Sequence, residues 1–293
     1  MKTAKYYATY LLVFLLACSS LSSIGQTVQE PKDLSEEWYR PYAPFRIVGN
    51  LYYVGTYDLA CYLIVTEKGN ILINTGLASS AEIISANIRT LGFKLSDTEI
   101  LLTTQAHYDH VGAMANIKKT SGAKMWVNER DADVMKDGGS SDYALGTGVA
   151  TYAPVTPDKL LKDGDIITLG TTKLKLLAHP GHTKGSSSYL FETKDNKRTY
   201  KVLIANIPTI VTSKRFDEVS GYPEIAKDYT QTLKAMKNLK FDIWVASHAS
   251  QFELHRKHQA GTTYNPNAFM DRKGYDETLS EIEQEVFQKT AHK

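Results

Sequence analysis

Cysteine is scarce in this chain of 293 residues, which contains only Cys18 and Cys61. Cys18 lies in an apolar amino-terminal stretch that has the features of an export signal, so Cys61 is left without a partner and no intramolecular disulfide is predicted. An exported chain without disulfides depends on its hydrophobic core for stability. Cys61 stands in the apolar run Leu59–Val65, which predicts a small buried side chain rather than a reactive thiol.

Long apolar runs and an excess of one charge are also missing. The run Tyr6–Ala17 follows Lys2 and Lys5 and has about 12 residues, too few to span a bilayer permanently. Loss of Lys2 and Lys5 with a leader would lower the 34 basic residues to 32, which equals the 32 acidic residues. A chain near neutrality with no basic stripe is not predicted to bind nucleic acid.

The amino terminus predicts a signal peptide over residues 1–25 and hence a periplasmic protein. Two cleavages fit. Leu15–Cys18 matches a bacterial lipoprotein box, which would attach the protein to a membrane only through a lipid on Cys18, and Ser23–Gly25 fits ordinary cleavage before Gln26. Residues 26–44 form a polar arm containing proline and aromatic residues. We expect this arm to pack on a single domain spanning residues 45–293, and a position beside the functional site is the alternative.

The periodicity of the remaining chain predicts a mixed α/β fold. Short apolar runs bounded by turns predict strands, and Ala81–Leu91 and Pro223–Leu239 have helical spacing of apolar residues. Four glycines within residues 137–148 predict a mobile loop. This loop has no lysine and no phosphate-cradle spacing, so a nucleotide site is not predicted.

The strongest chemical signal follows the predicted strand Glu99–Thr103, where the chain continues as Gln105-Ala-His107-Tyr-Asp109-His110. Imidazole and carboxylate groups are preferred Zn²⁺ ligands. A turn this tight cannot easily direct all of them at one ion, so we expect two adjacent metal positions. His182 in a Pro/Gly turn and His248 at the end of another apolar strand repeat the pattern at strand ends, where α/β sheets place their chemistry.

Together these motifs resemble the zinc β-lactamases of the metallo-β-lactamase superfamily, whose hallmark is His-x-His-x-Asp-His, then Gly-His-Thr, then a late His. The resemblance extends from about Phe45 to Phe269. It is strongest to the third subclass and, within it, to the GOB group, which also has Gln at the first motif position, here Gln105. The resemblance implies a four-layer αβ/βα sandwich.

The resemblance also implies the metal ligands. The first metal would be held by Gln105, His107 and His182, and the second by Asp109, His110 and His248. A neutral amide is a poorer Zn²⁺ ligand than imidazole. We therefore expect one or two zinc ions per chain, with the second position the stronger.

The implied activity is hydrolysis of the β-lactam amide bond of penicillins, cephalosporins and carbapenems, which confers antibiotic resistance. Zinc-activated hydroxide would attack the carbonyl, and Asp109 would orient the water and accept its proton. The substrate carboxylate would be bound by one or more of Thr209, Ser213, Tyr152 and Lys184. We expect a monomer that acts on small molecules.

Two alternatives remain at this point. The first is another hydrolase of the superfamily, a glyoxalase II-like thioesterase or a lactonase. Such enzymes usually carry a bridging aspartate, and the matching run Leu203–Pro208 has none. The second is an exported zinc-binding protein without catalytic activity. Of the other histidines, His179 is a candidate for support of the metal ligands, and His255 and His258 are expected on a solvated helical face.

Overall fold

The computed structural model describes residues 27–259 and 261–291, so the predicted signal peptide and Cys18 lie outside the described residues. The strands are β1 Phe45–Val48, β2 Leu51–Tyr53, β3 Tyr62–Thr66, β4 Gly69–Ile73, β5 Thr98–Leu102, β6 Lys124–Asn128, β7 Lys159–Leu161, β8 Ile166–Leu169, β9 Thr172–Ala178, β10 Ser187–Lys194, β11 Thr199–Ala205 and β12 Ile243–Ala246. The α-helices are α1 Glu36–Tyr39, α2 Ser80–Thr90, α3 Tyr108–Val111, α4 Met114–Ser121, α5 Ala132–Lys136, α6 Ile225–Lys237, α7 Leu254–Lys257 and α8 Arg272–Thr290. Short 3₁₀ turns connect several of them.

The strands form two mixed sheets. The first has seven strands in the order β1 to β7, antiparallel through β4 and parallel from β4 to β7. The second has five strands in the order β12-β11-β10-β9-β8, in which only β11 and β12 are parallel to each other. Parallel neighbours end at the same edge of a sheet, so this topology collects the carboxyl ends of several strands.

Each sheet has one face toward a shared core, and helices pack against part of its other face. Strand β9 illustrates the period-two pattern, because Leu174 and Leu176 are buried while Lys173 and Lys175 are exposed. One apolar cluster joins the inner faces of both sheets to α6 and α8, and a second joins the outer face of the first sheet to α2 and α4. The predicted four-layer αβ/βα sandwich is confirmed.

Helix boundaries follow the predicted signals within a few residues. Helix α4 is followed directly by its capping residue Gly122, whose φ of 78° is the left-handed conformation that glycine adopts at little cost. Helix α6 buries Tyr229, Leu233 and Met236 along one face, as its spacing predicts. None of the helices within the described ranges combines the length and the apolar character needed to span a bilayer.

The two sheets are joined directly behind the motif loop, at Thr103 and Thr104. The carbonyl of Thr104 accepts hydrogen bonds from the N–H of Ser187 and from the Asn206 amide, at 2.8 and 2.7 Å. The carbonyl of Thr103 accepts one from the Tyr189 hydroxyl at 2.6 Å. These bonds fix the start of the motif loop to both halves of the sandwich.

Three local features differ from the sequence-based expectations. Strands β1 and β7 were not predicted, because each is short and closely follows a proline, Pro44 or Pro157, in a segment that is typical of irregular structure. Asp109 and His110 lie within the short helix α3 rather than on an open turn. The segment 137–148 contains neither helix nor strand, as expected, but its side chains are bonded to the functional site.

Candidate metal centre

Four strand ends converge at one edge of the sandwich. The motif loop follows β5, the turn carrying His182 follows β9, Thr209 lies four residues after β11, and His248 lies two residues after β12. The Leu59–His248 bridge links the last of these ends to the segment before β3. Asp109 and the four predicted histidine ligands, far apart along the chain, are thereby gathered at one place.

The second metal position is built from Asp109, His110 and His248. Asp109 Oδ2 lies 3.2 Å from His110 Nε2 and 3.3 Å from His248 Nε2. One potential ligand atom from each of the three side chains lies within 4.8 Å of those of the other two. Such convergence of one carboxylate and two imidazoles suits Zn²⁺.

His248 is oriented from behind by Asp58. Its Nδ1–H donates to Asp58 Oδ2 at 3.0 Å, so Nε2 presents its lone pair to the metal position. Asp58 also accepts hydrogen bonds from the Ser250 N–H at 2.9 Å and the Trp38 indole N–H at 3.2 Å. The Trp38 ring lies 5.7 Å from the His248 ring, so the amino-terminal arm both packs on the domain and borders the site.

The first metal position is marked by His107 and His182. His107 Nδ1 and His182 Nε2 face each other at 3.1 Å. His182 Nδ1–H donates to the carbonyl oxygen of Thr209 at 2.8 Å, which leaves Nε2 free to bind an ion. Gln105 is buried two residues before His107, and the Thr103 hydroxyl bonds its backbone N–H and carbonyl.

Two further carboxylates support this loop, and sequence reasoning missed both. Asp142 Oδ2 lies 3.4 Å from His107 Nε2. Asp131 accepts hydrogen bonds from the Ala106 N–H at 3.2 Å, the Thr183 hydroxyl at 2.7 Å and the Gly185 N–H at 2.7 Å, and so ties the two metal-binding turns together. Gly185 is required there, because a Cβ would lie 2.6 Å from the Asp131 carboxyl carbon.

The electrostatics of the site favour a cation. Burial would raise the pKa of Asp109, but His110 and His248 hold it well below its usual range. Burial would lower the pKa of His248, yet hydrogen bonds to Asp109 and Asp58 raise it to about 9. Asp109 and Asp58 therefore stabilise positive charge at His248, and a metal ion bound at Nε2 would take the place of the proton that the ring carries without metal.

The buried ring nitrogens of His110 show whether these residues fit a metal ion. Neither ring nitrogen of His110 meets hydrogen-bond geometry with any described residue, although the ring is fully buried and Nε2 lies 3.2 Å from Asp109 Oδ2. A buried polar atom without a partner is costly. An ion bound between Asp109, His110 and His248 would satisfy it, so the donor set and its geometry fit Zn²⁺.

The predicted substrate-binding residues occupy different settings. Thr209 is partly exposed beside His182, with its hydroxyl 3.0 Å from His182 Nδ1. The Lys184 ammonium lies over the Tyr222 ring at 5.7 Å and has no carboxylate partner within the described ranges. Ser213 is exposed, and its carbonyl accepts a hydrogen bond from Lys289.

The expectation for Tyr152 is corrected by the structure. Tyr152 is only 1% exposed, and its hydroxyl donates toward the carbonyl oxygens of Ala106 and Val134 at 3.0 and 2.9 Å. A buried hydroxyl engaged in this way supports the metal loop from behind and does not contact a substrate. Tyr152 lies outside any helix or strand, so no periodic pattern in the sequence indicated that it is buried.

The other histidines within the described ranges, His179, His255 and His258, lie apart from the metal ligands. His179 is buried and its Nδ1 lies 2.7 Å from the Ser188 hydroxyl, which in turn accepts from the Asn206 N–H. His255 and His258 are stacked on Tyr57 and Phe45, each at 3.6 Å between ring centroids. The expectation of a solvated face for these two residues is therefore wrong, because both are partly buried in an aromatic cluster.

Comparison with known proteins agrees with this geometry. The profile of the metallo-β-lactamase superfamily matches residues 55–196. The structure resembles the class B3 di-zinc metallo-β-lactamase LRA-12 from an Alaskan soil metagenome, with 63% identity over 90% of this chain and 100% of that one and a TM-score of 0.89. The chain belongs to the metallo-β-lactamase superfamily.

Two further proteins are similar to this chain. The metallo-β-lactamase GOB-18 from Elizabethkingia meningoseptica is 57% identical, over 90% of this chain and 98% of that one, with a TM-score of 0.89. The hydroxyacylglutathione hydrolase GloC of Haemophilus influenzae is 30% identical over 139 residues, 47% of this chain and 62% of that one. The first curated relatives are matched over about three fifths of their length. The predicted resemblance to class B3 enzymes is confirmed.

Proposed function

We propose that the protein is a zinc-dependent β-lactamase that hydrolyses the amide bond of the β-lactam ring. The observation that carries this proposal is the convergence of Asp109, His110 and His248 in a chain 57–63% identical to class B3 and related β-lactamases. When bound, Zn²⁺ supplies Lewis acidity that activates water as a nucleophile at neutral pH.

The side chains of the protein place and assist that nucleophile. Asp109 Oδ2 lies between His110 Nε2 and His248 Nε2, a position from which the carboxylate orients the attacking water and accepts its proton. Asp58 and the carbonyl of Thr209 fix the tautomers of His248 and His182, so that each presents an unprotonated nitrogen. No acyl-enzyme is required by this arrangement.

Substrate binding involves the rim of the site. β-Lactams carry a carboxylate, and Lys184 is a cation near His182 without a described carboxylate partner. The Thr209 hydroxyl lies beside the same histidine and is a neutral donor for that carboxylate, with Ser213 a further candidate. Penicillins, cephalosporins and carbapenems share the carboxylate, and their turnover would confer resistance.

The zinc content and the cellular location belong to the same proposal. We propose that the Asp109, His110 and His248 position binds zinc more tightly than the position of Gln105, His107 and His182, because a neutral amide is the poorer ligand. One or two ions are bound accordingly. The predicted signal peptide supports a periplasmic location, with or without a lipid on Cys18, and we propose that the protein acts as a monomer.

The competing activity is hydrolysis of thioesters or lactones, which a relative such as GloC represents by name. Asn206 argues against this activity. It lies in the run Leu203–Pro208, which corresponds to the segment that carries the bridging aspartate in such enzymes. Its amide donates to the Thr104 carbonyl at 2.7 Å, and an amide does not bridge two metal ions as a carboxylate does.

The test is a comparison of substrates with the same zinc-loaded protein. Residues 26–293 are assayed against a penicillin, a cephalosporin, a carbapenem, an acylglutathione thioester and an acyl-homoserine lactone. We expect turnover of β-lactams that exceeds turnover of the thioester and lactone by at least about a hundredfold, or 2.7 kcal/mol. The reverse order would establish the thioesterase or lactonase, and no turnover of any would favour the non-catalytic zinc protein.

A further inference from the structure

The glycine-rich segment 137–148 contacts both histidines of the first metal position. It approaches His107 through the carboxylate of Asp142 and the turn of His182 through the hydroxyl of Tyr143. We propose that Asp142 and Tyr143 are positioning residues that hold His107 and His182 in the geometry that binds the first metal ion. This inference rests on the proposed zinc site, but its test measures metal binding rather than hydrolysis.

Asp142 is held in a fixed orientation by its own loop. Its side chain is only 4% exposed. Oδ1 accepts hydrogen bonds from the N–H groups of Ala144 and Leu145 at 2.9 and 2.7 Å. The other oxygen, Oδ2, is thereby directed at His107 Nε2, 3.4 Å away.

This contact decides which nitrogen of His107 is available to a metal. At 3.4 Å the pair is within ion-pair distance but does not meet hydrogen-bond geometry. Because a carboxylate accepts hydrogen bonds and cannot donate them, the proposal places the proton of His107 on Nε2, opposite Asp142. The other nitrogen, Nδ1, faces His182 Nε2 at 3.1 Å and is the one left to bind an ion. A carboxylate behind a ligating imidazole also increases its basicity as a ligand.

Tyr143 fixes the second histidine through the backbone. Its hydroxyl lies 2.9 Å from the carbonyl oxygen of Gly181 and 3.2 Å from that of His182. The Tyr143 ring packs edge-on against Tyr222 at 5.0 Å, and the Tyr222 hydroxyl donates to Asp228 of helix α6 at 2.6 Å. The segment is therefore anchored on the body of the domain and not only on the metal site.

The glycines allow this close packing and do not serve flexibility alone. A Cβ on Gly146 would lie 2.3 Å from the carbonyl oxygen of Asp142 and 2.7 Å from that of Ser140. Gly138 and Gly139 have φ of 70° and 88°, which other residues adopt only with strain. The loop is folded tightly around Asp142 because these positions lack side chains.

The first metal position has particular need of such support. Its third expected ligand is the neutral amide of Gln105, so His107 and His182 must provide most of the affinity. The second position has the carboxylate of Asp109, and Asp58 supports its His248. Loss of Asp142 is therefore expected to weaken the first position selectively.

The decisive variant is Asp142→Asn. The amide oxygen can still accept the Ala144 and Leu145 N–H groups, but the NH₂ group then faces His107 Nε2 and favours the tautomer with its proton on Nδ1. Asp133→Asn is the matched control, since it removes the same charge from helix α5, where the Asp133 side chain is 91% exposed. Tyr143→Phe removes only the hydroxyl and tests the second anchor.

Zinc binding is measured by titration of metal-free protein against a chromophoric chelator, and long-range ¹H–¹⁵N spectra identify the protonated nitrogen of His107. Asp142→Asn is expected to lower the affinity of the weaker zinc about 10- to 100-fold and to leave the tighter zinc unchanged. Tyr143→Phe is expected to lower the affinity of the weaker zinc several-fold. If Asp142→Asn does not fold, Tyr143→Phe is the variant that tests the proposal.

The proposal is overturned if the weaker zinc binds Asp142→Asn within twofold of Asp133→Asn, or if the tighter zinc is lost instead. It is also overturned if zinc-loaded wild-type protein carries the His107 proton on Nδ1. A failure of β-lactam hydrolysis, by contrast, would leave these binding results intact and count only against the proposed activity.

Discussion

Asp58 Oδ2 lies 3.0 Å from His248 Nδ1, although the two residues are separated by 190 positions in the chain. Burial would raise the pKa of Asp58, but the hydrogen bond and positive charge of His248, with the Ser250 N–H, hold it well below its usual range. The carboxylate is therefore ionised at neutral pH and fixes His248 with Nε2 toward the second metal position. Trp38 donates to the same oxygen and brings the amino-terminal arm into this unit.

Asp58→Asn is expected to weaken the tighter zinc about 10- to 100-fold, because an amide opposite His248 Nδ1 no longer enforces the metal-binding tautomer. Chelator competition measures the affinity. Trp38→Phe serves as the comparison, since it removes the indole donor and keeps the carboxylate, and should cost far less. Selective loss of the weaker zinc in Asp58→Asn would show that Asp58 does not support the second position.

Gln105→His is expected to strengthen the first metal position. Imidazole is the better Zn²⁺ ligand, and Gln105 is a buried residue two positions before His107, so the affinity of the weaker zinc should rise by more than about tenfold, or 1.4 kcal/mol. Isothermal titration of metal-free protein gives both affinities. Gln105→Ala is the control, and an affinity equal in the Gln and Ala forms would mean that the amide contributes nothing to binding.

His179 provides a stability prediction that is independent of zinc. Burial lowers its pKa to about 4, an effect that Asp163 partly offsets. The unfolded chain, with a pKa of about 6.5, takes up a proton between pH 6.5 and 4 that the folded protein does not. The free energy of unfolding should therefore fall as the pH drops through this window, by up to roughly 3 kcal/mol from this group.

Urea unfolding of the metal-free protein at several pH values checks this. His179→Gln should lose less stability than wild type between pH 6.5 and 4, and the two curves should run parallel above pH 7. Parallel curves over the whole range would show that His179 does not titrate differently in the folded and unfolded states.

The six expected metal ligands could be proposed from the sequence because each lies just after a strand or in a turn with a local signature. Gln105 to His110 directly follow β5, and His248 follows β12. Those signals require only the periodicity of the nearby chain. The sandwich itself was implied by the resemblance, whereas periodicity alone supported no more than a mixed α/β fold.

The supporting residues could not be found in this way. Asp58, Asp131 and Asp142 act on histidines or turns that lie 25 to 190 residues away along the chain, and an isolated aspartate in a loop has no local pattern. The glycines of segment 137–148 predicted mobility because composition does not show how closely the folded backbone approaches itself. Tyr152 was wrongly predicted to bind the substrate. Its burial results from hydrogen bonds to Ala106 and Val134, and the local sequence does not reveal these contacts.

The central claim is that β-lactams are hydrolysed at the position of Asp109, His110 and His248. The most direct measurement follows carbapenem hydrolysis by metal-free protein as zinc is returned in known molar steps. Activity should saturate near one zinc per chain, disappear with a chelator and fall by at least about a thousandfold, or 4 kcal/mol, in Asp109→Asn. Saturation only near two zinc ions would contradict the sufficiency of this position, and no hydrolysis of any β-lactam at full loading would contradict the proposed function itself.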